Sequence, residues 1–239
     1  MTGLPGSRIV VLSPHLDDAV LSLGAGIAEA AASGAHVTVV TAFAGDPARL
    51  DDASAWDRRA GFSSSLDALQ ARRDEDRRAC RAIGARPVWL PFGYGGTSVD
   101  ERELEQELGR AVDGADTVLL PGWPLRNPEH SVLALLVLRL GIRPARLGLY
   151  VEQPYVWWRT YTAPDLPPQL AEAGVPPPAW VALRVSRSSR RAKRRAARAY
   201  RSQLPLLRGR RISLPVVLRI GLYERRAGGE SVAWIAGAS

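Results

Sequence analysis

Short apolar runs alternate with longer segments of helical periodicity along most of the chain. The first apolar run, Arg8–Leu12, is bounded by a glycine and a proline, and the second, His36–Phe43, is rich in valine and threonine. Both runs are typical of buried β-strands. The alanine-rich segment Ala19–Ala32 follows two aspartates and precedes Gly34, which are start and stop signals of a helix. These three segments predict a strand–helix–strand unit.

The same alternation continues through the middle of the chain. Further helices are predicted over Leu66–Ile83, Asp100–Val112 and Ser131–Leu140, and further strands over Val88–Leu90, Thr117–Leu120 and Leu147–Val151. Strands that alternate with helices form a mostly parallel sheet covered on both faces. We therefore expect an α/β, Rossmann-like three-layer fold in a single domain over residues 1–239. Ligands of such folds bind beyond the carboxyl ends of the strands.

The last third of the chain has a less regular pattern. Residues 159–178 contain six prolines and are predicted to form a surface loop, because proline disrupts helix interiors and central strands. A strand over Trp180–Val185 and a helix over Ser188–Leu204 are predicted next. The pattern of Arg211–Ser239 alternates weakly, so added β-structure or a short helix is expected there.

The amino-acid composition favours a globular protein without a membrane span or a disulfide framework. The 239 residues are 46% hydrophobic and 23% charged, which suits a globular domain with an ordinary core. No apolar run approaches the roughly 20 residues that cross a bilayer, so neither a membrane span nor secretion is expected. Cys80 is the only cysteine, which excludes an internal disulfide framework and a site of clustered thiolates. These observations favour the cytoplasm.

The net charge of +8 comes almost entirely from arginine, since Lys193 is the only lysine. Net charge bears on association rather than on fold, and an arginine bias is not a binding motif. Positive charge is densest in residues 184–211, where Ala192, Ala196 and Ala199 form an apolar stripe at helical spacing. The arginines there are predicted to lie on a solvated outer face. Nucleic acid is therefore not expected as the main partner.

Candidate chemistry is concentrated directly after the first strand. His15, Asp17 and Asp18 lie within four residues at the edge of the sheet where α/β proteins bind ligands. Adjacent carboxylates repel each other unless a cation lies beside them, and a divalent metal satisfies this requirement. His130 follows the fourth strand, whereas His36 begins the second strand at the opposite edge. Two histidines, one aspartate and a water form the open site typical of catalytic zinc.

Each of these residues also has a purely structural interpretation. Asp17 and Asp18 suit the start of the first helix, where unpaired N–H groups and the helix dipole favour carboxylates. His130 lies near a helix start, where a lone histidine is commonly a surface or capping residue. Spacing alone leaves these alternatives open.

The segment Pro14–Asp18 resembles the signature of the LmbE/PIG-L superfamily of zinc-dependent N-acetylglucosaminyl deacetylases and related amidases. The resemblance extends from about Arg8 to Leu204. In chain order, further similarities are found in Arg72–Glu75 with its Arg-x-x-Glu element, Pro128–His130 where the family has its second metal histidine, Glu152–Tyr155, and the late helix from Lys193 to Gln203.

The resemblance implies that His15, Asp18 and His130 bind Zn²⁺ and that Asp17 is the catalytic base. An unligated carboxylate beside the metal can accept a proton and return it to the departing amine, which amide hydrolysis requires.

The resemblance also implies substrate-binding residues. Arg72 is similar to an arginine that reaches the substrate, where a guanidinium can bind a phosphate or sugar hydroxyls. The alternative interpretation is that Arg72 lies on an ordinary solvated face of its helix. Glu152 and Tyr155 are expected to line the substrate pocket, with packing beneath the pocket as the alternative.

Two positions depart from the family's pattern. Ala19 stands in place of a glutamate, and Asn127 stands where a further histidine is usual. Asn127 can donate a hydrogen bond to an oxyanion but cannot titrate, and we assign it to the catalytic group on that basis.

The expected function is zinc-dependent removal of an N-acyl group, foremost the acetyl group, from an amino sugar or a sugar-bearing small molecule. One alternative is an amidase that cleaves a larger acyl group. Another, prompted by Ala19 and Asn127, is a family member that binds sugar or metal without turnover. The expected partner is an N-acylated amino sugar or glycoconjugate, and the sequence specifies neither the exact substrate nor the oligomeric state.

Overall fold

A mixed β-sheet forms the centre of the molecule in the computed structural model, which describes residues 3–46, 52–93, 100–142, 144–158, 164–207 and 215–235. Its seven strands have the order β3-β2-β1-β4-β5-β7-β6 within these residues. The strands are β1 (Arg8–Ser13), β2 (His36–Thr41), β3 (Arg86–Trp89), β4 (Thr117–Trp123), β5 (Arg146–Val151), β6 (Trp180–Ala182) and β7 (Ser231–Trp234). The first five pair in parallel, whereas β7 is antiparallel to both β5 and β6.

Helices cover both faces of this sheet. They are α1 (Asp18–Ala32), α2 (Ala55–Arg59), α3 (Ser65–Ala82), α4 (Glu101–Val112), α5 (Pro128–Arg139), α6 (Pro168–Glu172), α7 (Arg187–Ala197), α8 (Leu204–Leu207) and α9 (Val216–Ala227), with a 3₁₀ helix over Tyr155–Trp158.

The alternation of side chains along the strands divides the core in two. In β1, Ile9 and Val11 pack in a cluster with α1, α3 and α7, whereas Val10 and Leu12 pack in a second cluster with α4, α5 and α6. Both faces of β1 are therefore buried, which explains its continuous apolar sequence. This arrangement confirms the predicted α/β, Rossmann-like three-layer fold.

The proline-rich segment differs in part from the prediction. Residues 159–163 lie outside the described residues, and Pro168–Glu172 form a short helix instead of continuing a loop. Pro167 and Pro168 stand at the N-cap and the first helical position, where a missing N–H is tolerated. The prediction of an uninterrupted loop is therefore wrong for this part.

The late basic helix is also shorter than predicted. It ends at Ala197, and turns lead from there into α8. In these turns the buried Tyr200 hydroxyl donates to Asp76 and the Ser202 hydroxyl donates to Glu75. Tertiary hydrogen bonds to α3 thus replace the last turns of a regular helix.

The weakly patterned end of the chain contributes to the sheet. Residues 216–227 form α9, and β7 inserts between β5 and β6. Added β-structure and a short helix were the two expectations there, and both are present. Among the helices that the structure describes, none is long and apolar enough to span a bilayer.

Candidate metal centre at the sheet edge

The carboxyl ends of three neighbouring strands bring the predicted residues together. His15, Asp17 and Asp18 follow β1, His130 lies in the first turn of α5 after β4, and Glu152 follows β5. Parallel strands end at the same edge of a sheet, so these side chains converge there although more than 100 residues separate His15 from His130. We call the side chains of His15, Asp17, Asp18 and His130 the edge cluster.

Three side-chain atoms of the edge cluster form a nearly regular triangle. His15 Nδ1 lies 3.1 Å from Asp18 Oδ2, His130 Nε2 lies 3.3 Å from Asp18 Oδ2, and the two histidine nitrogens are 3.2 Å apart. Tetrahedral zinc with ligand bonds near 2.0–2.1 Å places its ligand atoms about 3.3–3.4 Å apart. The triangle therefore has the dimensions of one face of such a site.

The chemistry of the donor set also fits a divalent metal. His130 and Asp18 are each only 1% exposed, and the second carboxylate oxygen of Asp18 is buried with no hydrogen-bond partner among the described residues. Two imidazole nitrogens and a carboxylate oxygen are preferred zinc ligands. A cation at the centre of the triangle would thus satisfy charges that the surrounding protein leaves unbalanced.

Two further carboxylates hold the outer nitrogens of the histidines. Glu129 Oε2 lies 2.7 Å from His15 Nε2, and Glu152 Oε1 is hydrogen-bonded to His130 Nδ1. The second Glu152 oxygen accepts the Leu125 N–H at 2.7 Å. Such carboxylate–histidine pairs orient metal ligands and raise their basicity. Both candidate ligand histidines therefore have a carboxylate at the outer nitrogen.

Charge crowding changes the proton affinity of the edge cluster in the metal-free protein. Burial and the neighbouring Asp18 charge raise the pKa of Asp17 to about 7. Burial opposes ionisation of Asp18 as well, but the charges of His130 and His15 outweigh it and lower the pKa of Asp18. Burial disfavours the charged form of His15, yet Asp18 and Glu129 raise its pKa to about 10. The two adjacent aspartates therefore differ, with Asp17 able to hold a proton near neutral pH.

Glu152 lies in a position that differs from the expected pocket lining. It is 1% exposed, and its two oxygens contact His130 and the Leu125 backbone. Its contacts are thus with the protein, behind a candidate metal ligand. Glu129 was not identified from the sequence, although its position next to His130 and the general need of a ligand histidine for a carboxylate partner were available signals.

Tyr155 lies against the edge cluster. Its ring meets the His130 ring edge-on at 5.4 Å between centroids. Burial and the nearby carboxylates raise the pKa of Tyr155 well above its usual value, so its hydroxyl stays protonated. Tyr155 is half-buried, which is consistent with either pocket lining or packing.

Arg72 is buried, contrary to the alternative of a solvated helix face. Its guanidinium pairs with Asp57 of α2 at 2.6 Å and lies over the Phe62 ring. The described contacts of Arg72 are therefore within the protein, and its predicted approach to substrate stays a prediction.

Asn127 is the N-cap of α5. Its side-chain oxygen accepts the Glu129 N–H at 3.0 Å, and Pro128 follows at the first helical position. This contact uses only the carbonyl oxygen of the side chain. The amide N–H₂ group is the part of Asn127 that suits an oxyanion.

The fold and the site define an α/β protein with a candidate metal centre at the carboxyl edge of its sheet. A family model described as PIG-L, GlcNAc-PI de-N-acetylase, matches residues 10–140, which is more than half of the chain. The chain therefore belongs to the PIG-L family, as the resemblance of its motifs predicted.

Solved structures of deacetylases share the fold over nearly the whole chain. The A40926 pseudoaglycone deacetylase Dbv21 is 27% identical, with a TM-score of 0.77 and 97% of each chain covered. The zinc-inhibited form of teicoplanin deacetylase Orf2 is 24% identical, with a TM-score of 0.79 and coverage of 96% of this chain and 98% of that one. The N,N'-diacetylchitobiose deacetylase from Pyrococcus horikoshii is 17% identical, with a TM-score of 0.58 and coverage of 96% and 83%. At these identities, the Orf2 and chitobiose deacetylase structures show the fold alone. No curated protein matches the chain in sequence.

Proposed function

We propose that this protein is a Zn²⁺-dependent N-deacetylase that hydrolyses the acetamide of an amino sugar carried on a larger molecule. The observation that carries this proposal is the triangle of His15 Nδ1, Asp18 Oδ2 and His130 Nε2 with the high-pKa carboxyl of Asp17 beside it. The family description names a GlcNAc-PI de-N-acetylase, and the 27% identical structure is named as a pseudoaglycone deacetylase. The first name supports an acetylated amino sugar, and the second supports deacetylation of a larger molecule.

His15, Asp18 and His130 would hold the metal, with Glu129 and Glu152 fixing the orientation of the two imidazoles. When bound, Zn²⁺ supplies Lewis acidity toward the amide carbonyl and toward water. The protein's own contribution is to keep both rings in one orientation, with the outer nitrogen of each ring held by a carboxylate.

Asp17 is proposed to move the proton. A carboxylate that lies beside the metal without binding it can accept a proton and later return it, which is the requirement for a general base that later acts as an acid. Asp17 accepts a proton from water as the new C–O bond forms. It then donates this proton to the sugar nitrogen as the C–N bond breaks, so the products are acetate and the free amine.

Asn127 and Tyr155 are proposed to face the reacting group. The Asn127 amide N–H₂ can donate to the developing oxyanion while its carbonyl oxygen caps α5. Tyr155, beside His130, and Arg72, on α3, stay the proposed substrate-binding residues. Glu152 is proposed to act through His130 and is therefore a positioning residue.

The wider proposal keeps the organisation expected from the sequence. One domain over residues 1–239 carries the whole site, and the partner is a small glycoconjugate instead of a nucleic acid. The cytoplasm is the proposed compartment, because a single cysteine, Cys80, permits no internal disulfide.

The decisive experiment measures metal content and amide hydrolysis on the same samples. Wild-type protein is expected to hold one Zn²⁺ per chain by elemental analysis and to release acetate from N-acetylglucosamine conjugates. The His15→Ala/His130→Ala double variant should lose both properties. His36→Ala is the matched control, since His36 is an exposed histidine at the opposite edge of the sheet and should leave both unchanged.

Three results would overturn the proposal. Full metal occupancy in the double variant would rule out His15 and His130 as metal ligands. Hydrolysis of longer acyl chains in preference to acetyl would favour an amidase of larger acyl groups. Metal binding without hydrolysis of any N-acyl sugar would favour a protein that binds without turnover.

A further inference from the structure

Charge is distributed very unevenly along the chain. Residues 173–223 contain 13 of the 32 basic residues and none of the 24 acidic residues. This stretch of 51 residues therefore carries +13, whereas the rest of the chain carries −5. A general arginine bias adds basic residues everywhere but does not remove acidic residues from one segment. The charge of this segment thus needs its own explanation.

The described part of this segment contributes to a groove whose charged lining is mostly arginine. The groove lies between α7 and α9 and has a volume of about 420 Å³. Five arginines line it, and we call it the basic groove: Arg187, Arg190, Arg191 and Arg194 from α7, and Arg225 from α9. The four α7 positions have the spacing i, i+3, i+4 and i+7, which places them on one face of the helix.

These five guanidiniums have no ion-pair partner within the part of the chain that the structure describes. The one carboxylate that lines the groove, Glu224, is paired with the buried Lys193. Like charges three and four residues apart destabilise a helix, and Arg187 in the first turn of α7 also opposes the helix dipole. An anion in the groove would relieve both unfavourable interactions.

We propose that the basic groove binds a small molecule that carries two or more phosphate groups. Guanidinium groups bind phosphate oxygens through two parallel hydrogen bonds, and neighbouring arginines on one helix face can hold one phosphate between them. A groove of this volume has the size of a small-molecule site. A diphosphate is compact enough to place several negative charges within this volume.

This site is independent of the proposed deacetylase. None of the residues that line the groove belongs to the edge cluster, and the arginines of α7 have no role in the proposed chemistry. The same phosphate chemistry is present in free diphosphate and in a nucleoside diphosphate. Failure of one proposal therefore leaves the other intact.

Calorimetric titration of the full chain with inorganic diphosphate tests the proposal. One equivalent should bind with saturation near physiological ionic strength, and orthophosphate should bind more weakly. Arg190→Gln/Arg194→Gln should weaken diphosphate binding about tenfold or more, since two charge-assisted contacts are lost. Arg195→Gln/Arg198→Gln is the matched control, because it removes the same charge near the same helix from exposed positions outside the groove and should weaken binding by less than about threefold.

A parallel titration with ADP distinguishes the source of the phosphates. Binding tighter than that of diphosphate identifies a nucleotide ligand, whereas equal binding identifies the diphosphate alone as the recognised group. Asp18→Asn should retain diphosphate binding, which separates the groove from any metal held by the edge cluster.

Four outcomes would overturn the proposal. Three of them are the absence of saturable binding, an equal loss in the two double variants, and loss of binding in Asp18→Asn. A short DNA duplex that binds more tightly than diphosphate and depends on the same arginines would assign the surface to nucleic acid instead.

Discussion

Two largely buried clusters of charged side chains contact α1, and they differ in what satisfies their charges. The edge cluster lies at the start of the helix. The second cluster lies beside the middle of the helix, and we call it the lysine cluster: Lys193, Glu224 and Glu230.

Groups of the protein itself satisfy the charges and hydrogen bonds of the lysine cluster. Lys193 Nζ pairs with both glutamates, at 2.6 Å from Glu230, and donates to the Ser22 carbonyl at 3.2 Å. The two Glu230 oxygens also accept the backbone N–H groups of Ala25 and Gly26. Each side chain of this cluster thus has partners of complementary charge, which is the pattern of a structural ion network.

The edge cluster lacks this balance. Its three candidate ligand atoms face one another across about 3.2 Å, Asp18 Oδ1 has no described hydrogen-bond partner, and Asp17 lies beside a second carboxylate. A buried group that the fold does not satisfy indicates a partner from outside. Burial and charge are common to both clusters, so the unsatisfied atoms are what distinguish the candidate site.

The largest effect is expected for Asp17→Asn. This change keeps the shape of the side chain but removes the proton acceptor, so the rate of deacetylation should fall about 10²–10⁴-fold while zinc is retained. Asp74→Asn on the exposed surface of α3 is the control and should leave the rate unchanged. Loss of zinc in Asp17→Asn, with retention in Asp18→Asn, would exchange the roles assigned to the two aspartates.

For the lysine cluster the expected effect is on folding. Lys193→Met removes the cation between two carboxylates and should lower the free energy of unfolding by about 3–5 kcal/mol, because buried charges are left unpaired. Urea denaturation measures this loss, and the metal content of the folded fraction should not change. Arg195→Met, exposed on the same helix, should alter stability by less than about 0.5 kcal/mol. An unchanged stability of Lys193→Met would contradict the structural role of this cluster.

Asn127 has a structural role and a proposed catalytic role. Its side-chain oxygen caps α5, and its amide nitrogen is proposed to donate to the reacting group. Asn127→Ser keeps an effective cap but removes the amide donor, so stability should hold while the rate falls about 10²–10³-fold. Asn127→Ala should lose the cap as well, at a cost of about 1 kcal/mol in unfolding free energy. An active Asn127→Ser enzyme would limit Asn127 to its capping role.

A smaller effect is expected for the carboxylate that holds the candidate ligand His130. Glu152→Gln leaves His130 without a charged partner and should weaken zinc affinity about 10–100-fold. Competition with a chelator of known affinity measures this change. Glu230→Gln is the matched control, since it alters an equally buried carboxylate in the lysine cluster and should lower thermal stability without changing zinc affinity. Equal zinc affinity in both variants would show that Glu152 does not position His130.

The sequence allowed the edge cluster to be predicted but not the lysine cluster. His15, Asp17 and Asp18 form a local motif after a strongly patterned strand, so their position followed from the chain alone. The role of Glu152 depended on which way its side chain turns at the end of β5, which residue spacing does not specify. Glu230 lies in a weakly patterned segment, and its pairing with Lys193 depends on packing of α7 and β7 against α1.

Two glycines in α1 show why that packing could not be anticipated. A Cβ atom at Gly24 would lie 3.0 Å from Lys193 Cγ, and one at Gly26 would lie 2.8 Å from Leu183 Cδ1. In the sequence, glycines inside a helix only reduce its propensity. In the structure they give the lysine cluster access to the helix backbone.

The smallest expected effect concerns stability against pH in the metal-free protein. The pKa of Asp17 is about 7 in the folded chain, raised from 3.8 by burial and by the Asp18 charge. Because the folded state holds this proton more tightly, Asp17 stabilises the fold most at low pH, and this contribution is lost as pH rises from about 4 through 7. Asp17→Asn lacks this titration, so its stability relative to wild type should increase by at least about 1 kcal/mol between pH 4 and pH 8. Urea unfolding of both proteins after metal removal measures the difference, and Asp74→Asn should show none. A difference that does not vary with pH would mean that Asp17 is not crowded by Asp18, and the contrast between the two clusters would then rest on the metal ligands alone.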